Sequence, residues 1–341
     1  MKLAQLVSNY FSVPPRSSRA IFQVVDRITT GLVDSGHDVT LFASGDSSTR
    51  AELRSVTAGQ VSDLGLTPMQ SRNLVHLLIS KCYREAAEFD LIHSHFNLMS
   101  SFYARLVSTP TVLTVHTPIT ALTRPLMALY RDLRYISFSH SQRRQMPELN
   151  WIGNVYHGID TSAFQFSPEP ENFLLFIGRI VKEKGVHLAI EAAKAAGLPL
   201  VIAGRTGDEP TYWHKKIEPH IDGLNVRYVG ELDNERKIDY FRRAKALLFP
   251  VKWEEPFGLV MIEAMACGTP VIGFNRGAVA EIVQDGETGY VVRGVAGMVK
   301  AIHKISKISR VACRARVDRL FSINQMVNGY ERVYERVIDK R

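Results

Sequence analysis

Short apolar runs alternate with longer amphipathic stretches along the whole of this chain. The runs at 3–7, 39–42, 91–93, 112–115 and 136–139 have strand length, and a second series follows at 173–177, 200–202, 226–229, 246–249 and 271–274. Runs with so few polar interruptions predict strands buried on both faces, and the segments between them are long enough to return as helices. That alternation predicts an α/β fold with doubly wound parallel sheets. Polar residues follow the runs, at the strand tips where such sheets place ligands.

Between the two series, residues 161–171 contain Pro168 and Pro170 and read as a linker. The boundary is expected near residue 165, giving a first domain at 1–165, a second at 166–325 and a polar amphipathic helix at 326–341. A length of 341 residues, with 45% hydrophobic and 22% charged, suits two globular domains of ordinary size.

Cys82, Cys267 and Cys313 are too few and too scattered for a disulfide framework or a zinc site, so a reducing cytoplasm is the expected setting. The chain passes from Met1 and Lys2 directly into a strand, without the pattern of a signal peptide, and no apolar run reaches bilayer-spanning length. Neither a nicotinamide-type glycine fingerprint nor a Walker A string is present.

The net charge of +8 is concentrated at the end: from Arg293 onward there are twelve Lys/Arg against four Asp/Glu. Val299, Ile302 and Ile305 fall at helical spacing with Lys300, Lys304, Lys307 and Arg310 between them, predicting an amphipathic helix with a basic outer face. Such a face is either solvated or a peripheral contact with anionic membrane lipid. Nucleic acid is disfavoured because no aromatic and basic interleaving accompanies the charge.

The string EPFGLVMIE sets Glu255 and Glu263 eight residues apart around Phe257 and Gly258. Pro256 biases Glu255 away from helix, while a helix begun near Phe257 carries Glu263 further along. The backbone N–H groups of Phe257, Gly258, Leu259 and Val260 would face a phosphate at that helix start, and the carboxylates suit hydroxyl-rich groups attached to it. The plainer alternative is a Pro-initiated helix whose glutamates are solvated or structurally paired. Upstream, Gly178 and Arg179 close a strand, and Lys184 precedes the next helix, a connection where α/β folds collect phosphates. Paired cations there could neutralise a diphosphate, or simply form a surface ion pair with Glu183. His116, and behind it His93 and His95, follow strands at tip positions; each is a site candidate or a structural histidine.

EPFGLVMIEAMACGTPVI resembles the E-x7-E signature of the retaining nucleotide-sugar glycosyltransferases of family four, which have the GT-B fold of two Rossmann-like domains facing across a cleft. The resemblance extends in order through GHDVTLFASGDS, VLTVHTP, YHGID, FIGRIVKEKG, YVGEL and EIVQDGETGYVV. It implies Arg179 and Lys184 as diphosphate ligands, Glu263 on the ribose hydroxyls and Glu255 on the donor sugar, with the amides of Gly258 to Val260 completing the cradle. The base would rest against Val229 to Leu232, near Gly204 and Arg205, and His116 would hydrogen-bond the sugar or acceptor. The last helix would cross back to the first domain.

One stretch departs from the family pattern. Where relatives have two glycines and then a glutamate after the first strand, this chain has Arg19, Ala20 and Phe22. Arg16 and Arg19 are therefore expected on the acceptor side, facing an anionic acceptor. The reading is a retaining, metal-independent hexosyltransferase without a cofactor, using a nucleoside-diphosphate sugar as co-substrate and a small-molecule, glycan or lipid-linked acceptor. The alternative is a degenerate GT-B protein that binds nucleotide-sugar as a partner or regulatory subunit.

Overall fold

The computed structural model describes residues 1–16 and 19–339, and the chain divides into two compact units, Met1–Gly158 with Ile323–Arg341 and Ile159–Ser322. The division falls at Gly158 and Ile159, ahead of the proline-bearing stretch around 165.

In the first unit, β1 (Lys2–Leu6), β2 (Asp38–Phe42), β3 (Glu52–Arg54), β4 (Leu91–Ser94), β5 (Thr111–Thr114), β6 (Arg134–Ser137) and β7 (Trp151–Asn154) form one parallel sheet. Its order is β3-β2-β1-β4-β5-β6-β7, so the winding reverses between β1 and β4. The second unit repeats the plan with β8 (Leu174–Ile177), β9 (Leu200–Ala203), β10 (Val226–Tyr228), β11 (Ala246–Phe249), β12 (Val271–Phe274) and β13 (Gly289–Val292). Its order is β10-β9-β8-β11-β12-β13, with the reversal between β8 and β11. Doubly wound sheets bind ligands beyond the strand ends at such reversals.

All but one of the apolar runs coincide with central strands, whose side chains are almost wholly buried, as LLFI in β8 and ALLF in β11 illustrate; the run at 226–229 gives the edge strand β10. Strands β3, β7 and β13 were not expected from the sequence. The first two are edge strands of the first sheet and β13 an edge of the second; all three are partly exposed and only three or four residues long.

The helix Ile323–Ile338 belongs to the first unit and buries Met326, Val327, Tyr330, Val333, Tyr334 and Val337. It packs on the helix Ala20–Asp34, where a Cβ on Gly31 would lie 2.3 Å from Val327 Cγ2; only a glycine permits that approach. Between His37 Nε2 and Glu331 Oε1 a 2.9 Å contact ties the same helix to the loop before β2.

The basic segment differs from its expected form. Gly294–Lys304 is helical and buries Ile302, but Arg310 starts a separate helix, Arg310–Leu320, and is 8% exposed. It donates to the carbonyls of Ser167 (2.7 Å), Arg242 (2.7 Å) and Ala244 (2.9 Å) and to Thr269 Oγ1 (2.9 Å). Arg314 reaches Phe164 O and Ala266 O, and Arg316 reaches Ile282 O. These guanidinium groups satisfy carbonyls left over by turns and helix ends inside the second unit. Arg310 is therefore a structural cation and not part of an outer basic face. Among the described residues no helix is long and apolar enough to cross a membrane.

Candidate functional site

In the second unit the expected donor residues gather at the β8/β11 reversal. Beyond β8, Gly178 N donates to Ala203 O (3.1 Å) and Ile180 N to Arg205 O (2.9 Å), lacing the tips of β8 and β9 together. Gly204 has φ +142°, and a Cβ there would sit 1.8 Å from Gly178 O. Gly204 N in turn donates to Gly230 O (2.8 Å), and Tyr228 Oη donates to Gly204 O (2.8 Å). Three strand ends thus form one fixed ledge that includes half-buried Val229 and, just beyond, Leu232.

A single turn, Lys182–Lys184, follows, and Gly185 at φ +74° caps the helix Val186–Ala196. A Cβ on Gly185 would lie 2.1 Å from Pro250 O, so this cap is pressed against the tip of β11. The contact brings Lys184 to the segment after β11. Its ammonium hydrogen-bonds Glu255 Oε2, stands 5.0 Å from the centre of the Trp253 ring and 5.9 Å from that of Phe249. Trp253 Nε1 donates to the same Glu255 oxygen at 2.8 Å. Glu255 is itself fixed through its backbone, because Ala278 N donates to its carbonyl (2.9 Å) and Gly277 leaves no room for a Cβ against it.

The helix of the E-x7-E string starts at Leu259, later than the Phe257 start expected, with Gly258 at φ +87° as its first cap. Phe257 is buried and Val260 half-buried. Glu263 lies on the second turn, 5% exposed, and accepts from Lys237 Nζ at 3.0 Å. Each glutamate therefore faces its own lysine, and the two carboxylates do not meet. Arg179 is exposed, and its Nη1 lies 3.4 Å from Asp208 Oδ2; Arg205 donates to the Oδ1 of the same aspartate at 3.0 Å. The ion pair with Glu183 considered for this loop is replaced by these partners.

Lys237, Trp253 and Asp208 were not singled out from the sequence. Trp253 borders the glutamate string, a cue of proximity alone. Lys237 sits in the first turn of the helix Asn234–Arg243, capped by Asp233, where a lysine looks like any solvated residue.

The first unit holds the histidines. Gln5 Oε1 can only accept, so His95 Nε2, 2.9 Å away, carries the proton. His95 Nδ1 then accepts from His116 Nε2 at 2.9 Å. On the other side Gln5 Nε2 donates to Tyr334 Oη (3.3 Å), which donates to His93 Nδ1 (2.6 Å), and His93 Nε2 donates to Thr114 Oγ1 (2.7 Å). The chain of donors leaves His116 with Nδ1 as acceptor, its backbone N–H held by Asn97 Oδ1 at 2.7 Å. Burial pushes the His116 imidazole down to about 3 and lowers His93 and His95 well below the usual histidine range.

Of the two arginines expected on the acceptor side, one is already ion-paired and the other packs on an aromatic ring. Arg16 pairs with Asp46 (2.6 Å) and Asp63 (3.2 Å). Arg19 lies over the Phe11 ring, 4.5 Å from its centre, with a buried Nε that has no hydrogen-bond partner.

Residues 160–315 match the model for glycosyl transferases group 1, and residues 21–163 match the model for glycosyltransferase family 4. Glycogen synthase from Mycobacterium tuberculosis is 35% identical over 170 residues, covering 47% of this chain and 41% of that protein. The match thus takes in less than half of that relative's length. O-antigen chain mannosyltransferase C from Escherichia coli is 23% identical over the full length of both chains. Among solved structures, HepE from Anabaena in complex with UDP superposes with a TM-score of 0.76 at 16% identity, covering 98% of this chain and 100% of that one.

Proposed function

Because the chain belongs to the group 1, family four glycosyltransferases and has the GT-B fold, we propose that it moves a hexose-type sugar from a nucleoside diphosphate to an acceptor hydroxyl, with retention at the anomeric carbon. The observation that carries this reading is the joining of Lys184, Trp253 and Glu255 at the reversal of the second sheet.

A diphosphate there takes Lys184 and Arg179 as counterions, a point charge and a planar fork of donors. The amides of Gly258 to Val260 supply further donors at a helix start. Lys184 then turns from Glu255 toward phosphate, and Glu255 becomes an acceptor for sugar hydroxyls. Glu263, held by Lys237, accepts from the ribose, and the base lies on the ledge of Gly204, Val229 and Leu232. In the transition state the departing diphosphate gains charge, which the two cations stabilise without a divalent ion. The same phosphate takes the proton of the attacking hydroxyl, so no side chain needs to act as covalent nucleophile.

The deciding experiment is a thermal-shift panel of UDP-, GDP- and ADP-sugars, since a ligand raises the melting temperature according to its affinity. HepE was solved with UDP, so the uridine donors are tried first. A panel without any shift would overturn the reading. A second reading, a nucleotide-sugar-binding protein without turnover, is favoured by Arg19, which stands on Phe11 at the place where the family resemblance leads one to expect a glycine. Slow hydrolysis of the shifting donor identifies the enzyme; saturable binding without product identifies the binder.

A further inference from the structure

The first sheet has its own reversal, between β1 and β4, and a cavity of about 360 Å3 opens there. Ser8 and Tyr10 from the end of β1, Phe96 and Met99 from beyond β4, and Ser71 and Arg72 from the helix Pro68–Arg84 contribute to its lining. We propose that this cavity receives the acceptor by an apolar moiety carrying one anionic group, with Arg72 as the ligand of the anion. The assignment to the acceptor rests on the glycosyltransferase reading above.

Three observations converge on this. The walls are chiefly apolar and the volume lies at the small end of ligand pockets, which begin at about 300 Å3, so a ring or short chain fits. The Arg72 side chain has no ion pair or hydrogen bond among the described residues and lines the cavity, whereas Arg16 is paired with Asp46 and Asp63 and Arg19 lies against Phe11, and neither of the two lines it. The cation that faces this cavity is thus supplied by the helix and not by Arg16 or Arg19 of the loop after β1. The helix that carries Arg72 is also built to hold still: Thr67 and Gln70 form a reciprocal cap, and Pro68 opens the first turn. Arg72 is therefore presented from a rigid element beside an apolar wall.

The test uses the full chain and phenyl phosphate, which joins a ring to an anion, followed by ligand-observed NMR titration. Benzoate supplies the carboxylate version, inorganic phosphate the anion alone and benzyl alcohol the ring alone. Phenyl phosphate or benzoate should bind at least ten times tighter than either partial probe. Arg72→Ala should weaken that binding at least tenfold, Arg72→Lys should restore part of it, and Ser71→Trp, which fills the cavity, should abolish it. Equal binding of inorganic phosphate, no binding of either complete probe, or binding unchanged in both Arg72→Ala and Ser71→Trp would each overturn the proposal. The nucleotide-sugar melting panel is run on the same variants. A donor shift without probe binding defeats the acceptor site alone, and probe binding without any donor shift defeats the glycosyltransferase reading.

Discussion

Lys237 Nζ lies 3.0 Å from Glu263 Oε1, and both side chains are almost closed off from water. Removing the lysine would leave a carboxylate buried without its counter-charge, which costs about 3 kcal/mol when a buried pair is broken on one side. Lys237→Met should therefore lower the urea midpoint clearly, while Lys237→Met combined with Glu263→Gln should recover much of the loss. A double-mutant cycle measures this coupling, and equal midpoints for the single and double variants would show that the lysine does not support Glu263.

The contrast between Glu255 and Lys237 shows what the chain discloses by reading along it. The E-x7-E string is local: its proline, glycine and carboxylates announce a loop, a cap and a helix in nine consecutive residues. Lys237 and Trp253 enter through tertiary packing, so nothing in their immediate neighbours separates them from solvated residues. Likewise the central strands were legible because burial on both faces demands continuous apolar runs, whereas the half-exposed β3 is polar like a loop and β7, four residues with a glycine and an asparagine, is too short to stand out. Arg310 was misplaced for the same reason, since helical spacing identifies a side of a helix but not the carbonyls waiting there.

Lys184 tests the phosphate assignment directly. Lys184→Ala should reduce turnover by at least about a hundredfold, the scale of losing one preorganised charge at a leaving group. The fold should persist, because the turn Lys182–Lys184 is held by backbone bonds and by Gly185 against Pro250. Circular dichroism with steady-state kinetics checks both halves. Near-normal turnover would remove Lys184 from the site.

Gly204 is the most constrained position of the donor ledge. An alanine there would put Cβ 1.8 Å from Gly178 O and require an L residue at φ +142°. Backbone strain and displacement of Gly178 together should cost at least about 3 kcal/mol. Gly204→Ala is expected to lower the melting temperature and the donor-induced shift together, whereas Gly207→Ala, strained at φ +101° but with open space around its Cβ, should cost less stability and spare the ledge contact. A Gly204→Ala protein as stable as the parent would show that the β8 and β9 tips move apart freely.

The buried histidines give stability a pH dependence with a definite sign. His93, His95, His116 and His157 all have protonation depressed by burial, His116 to about 3. Unfolded histidine titrates near 6.5, so below that pH the unfolded chain binds more protons than the folded one. Their contribution is present in full above about pH 6.5 and is lost as pH falls toward the folded values. Asp26, whose carboxyl is raised by burial, acts in the opposite sense. Being one group against these four and His187, which burial also lowers, it should not reverse the trend. The urea midpoint should fall steadily between pH 7.5 and pH 5, a window above the range of ordinary carboxylates. His116→Gln can keep an N–H donor toward His95 but cannot titrate, so its midpoint should fall less steeply over the same interval. A midpoint constant across the window, or a slope unchanged by His116→Gln, would mean that the histidine network is not held neutral by the fold.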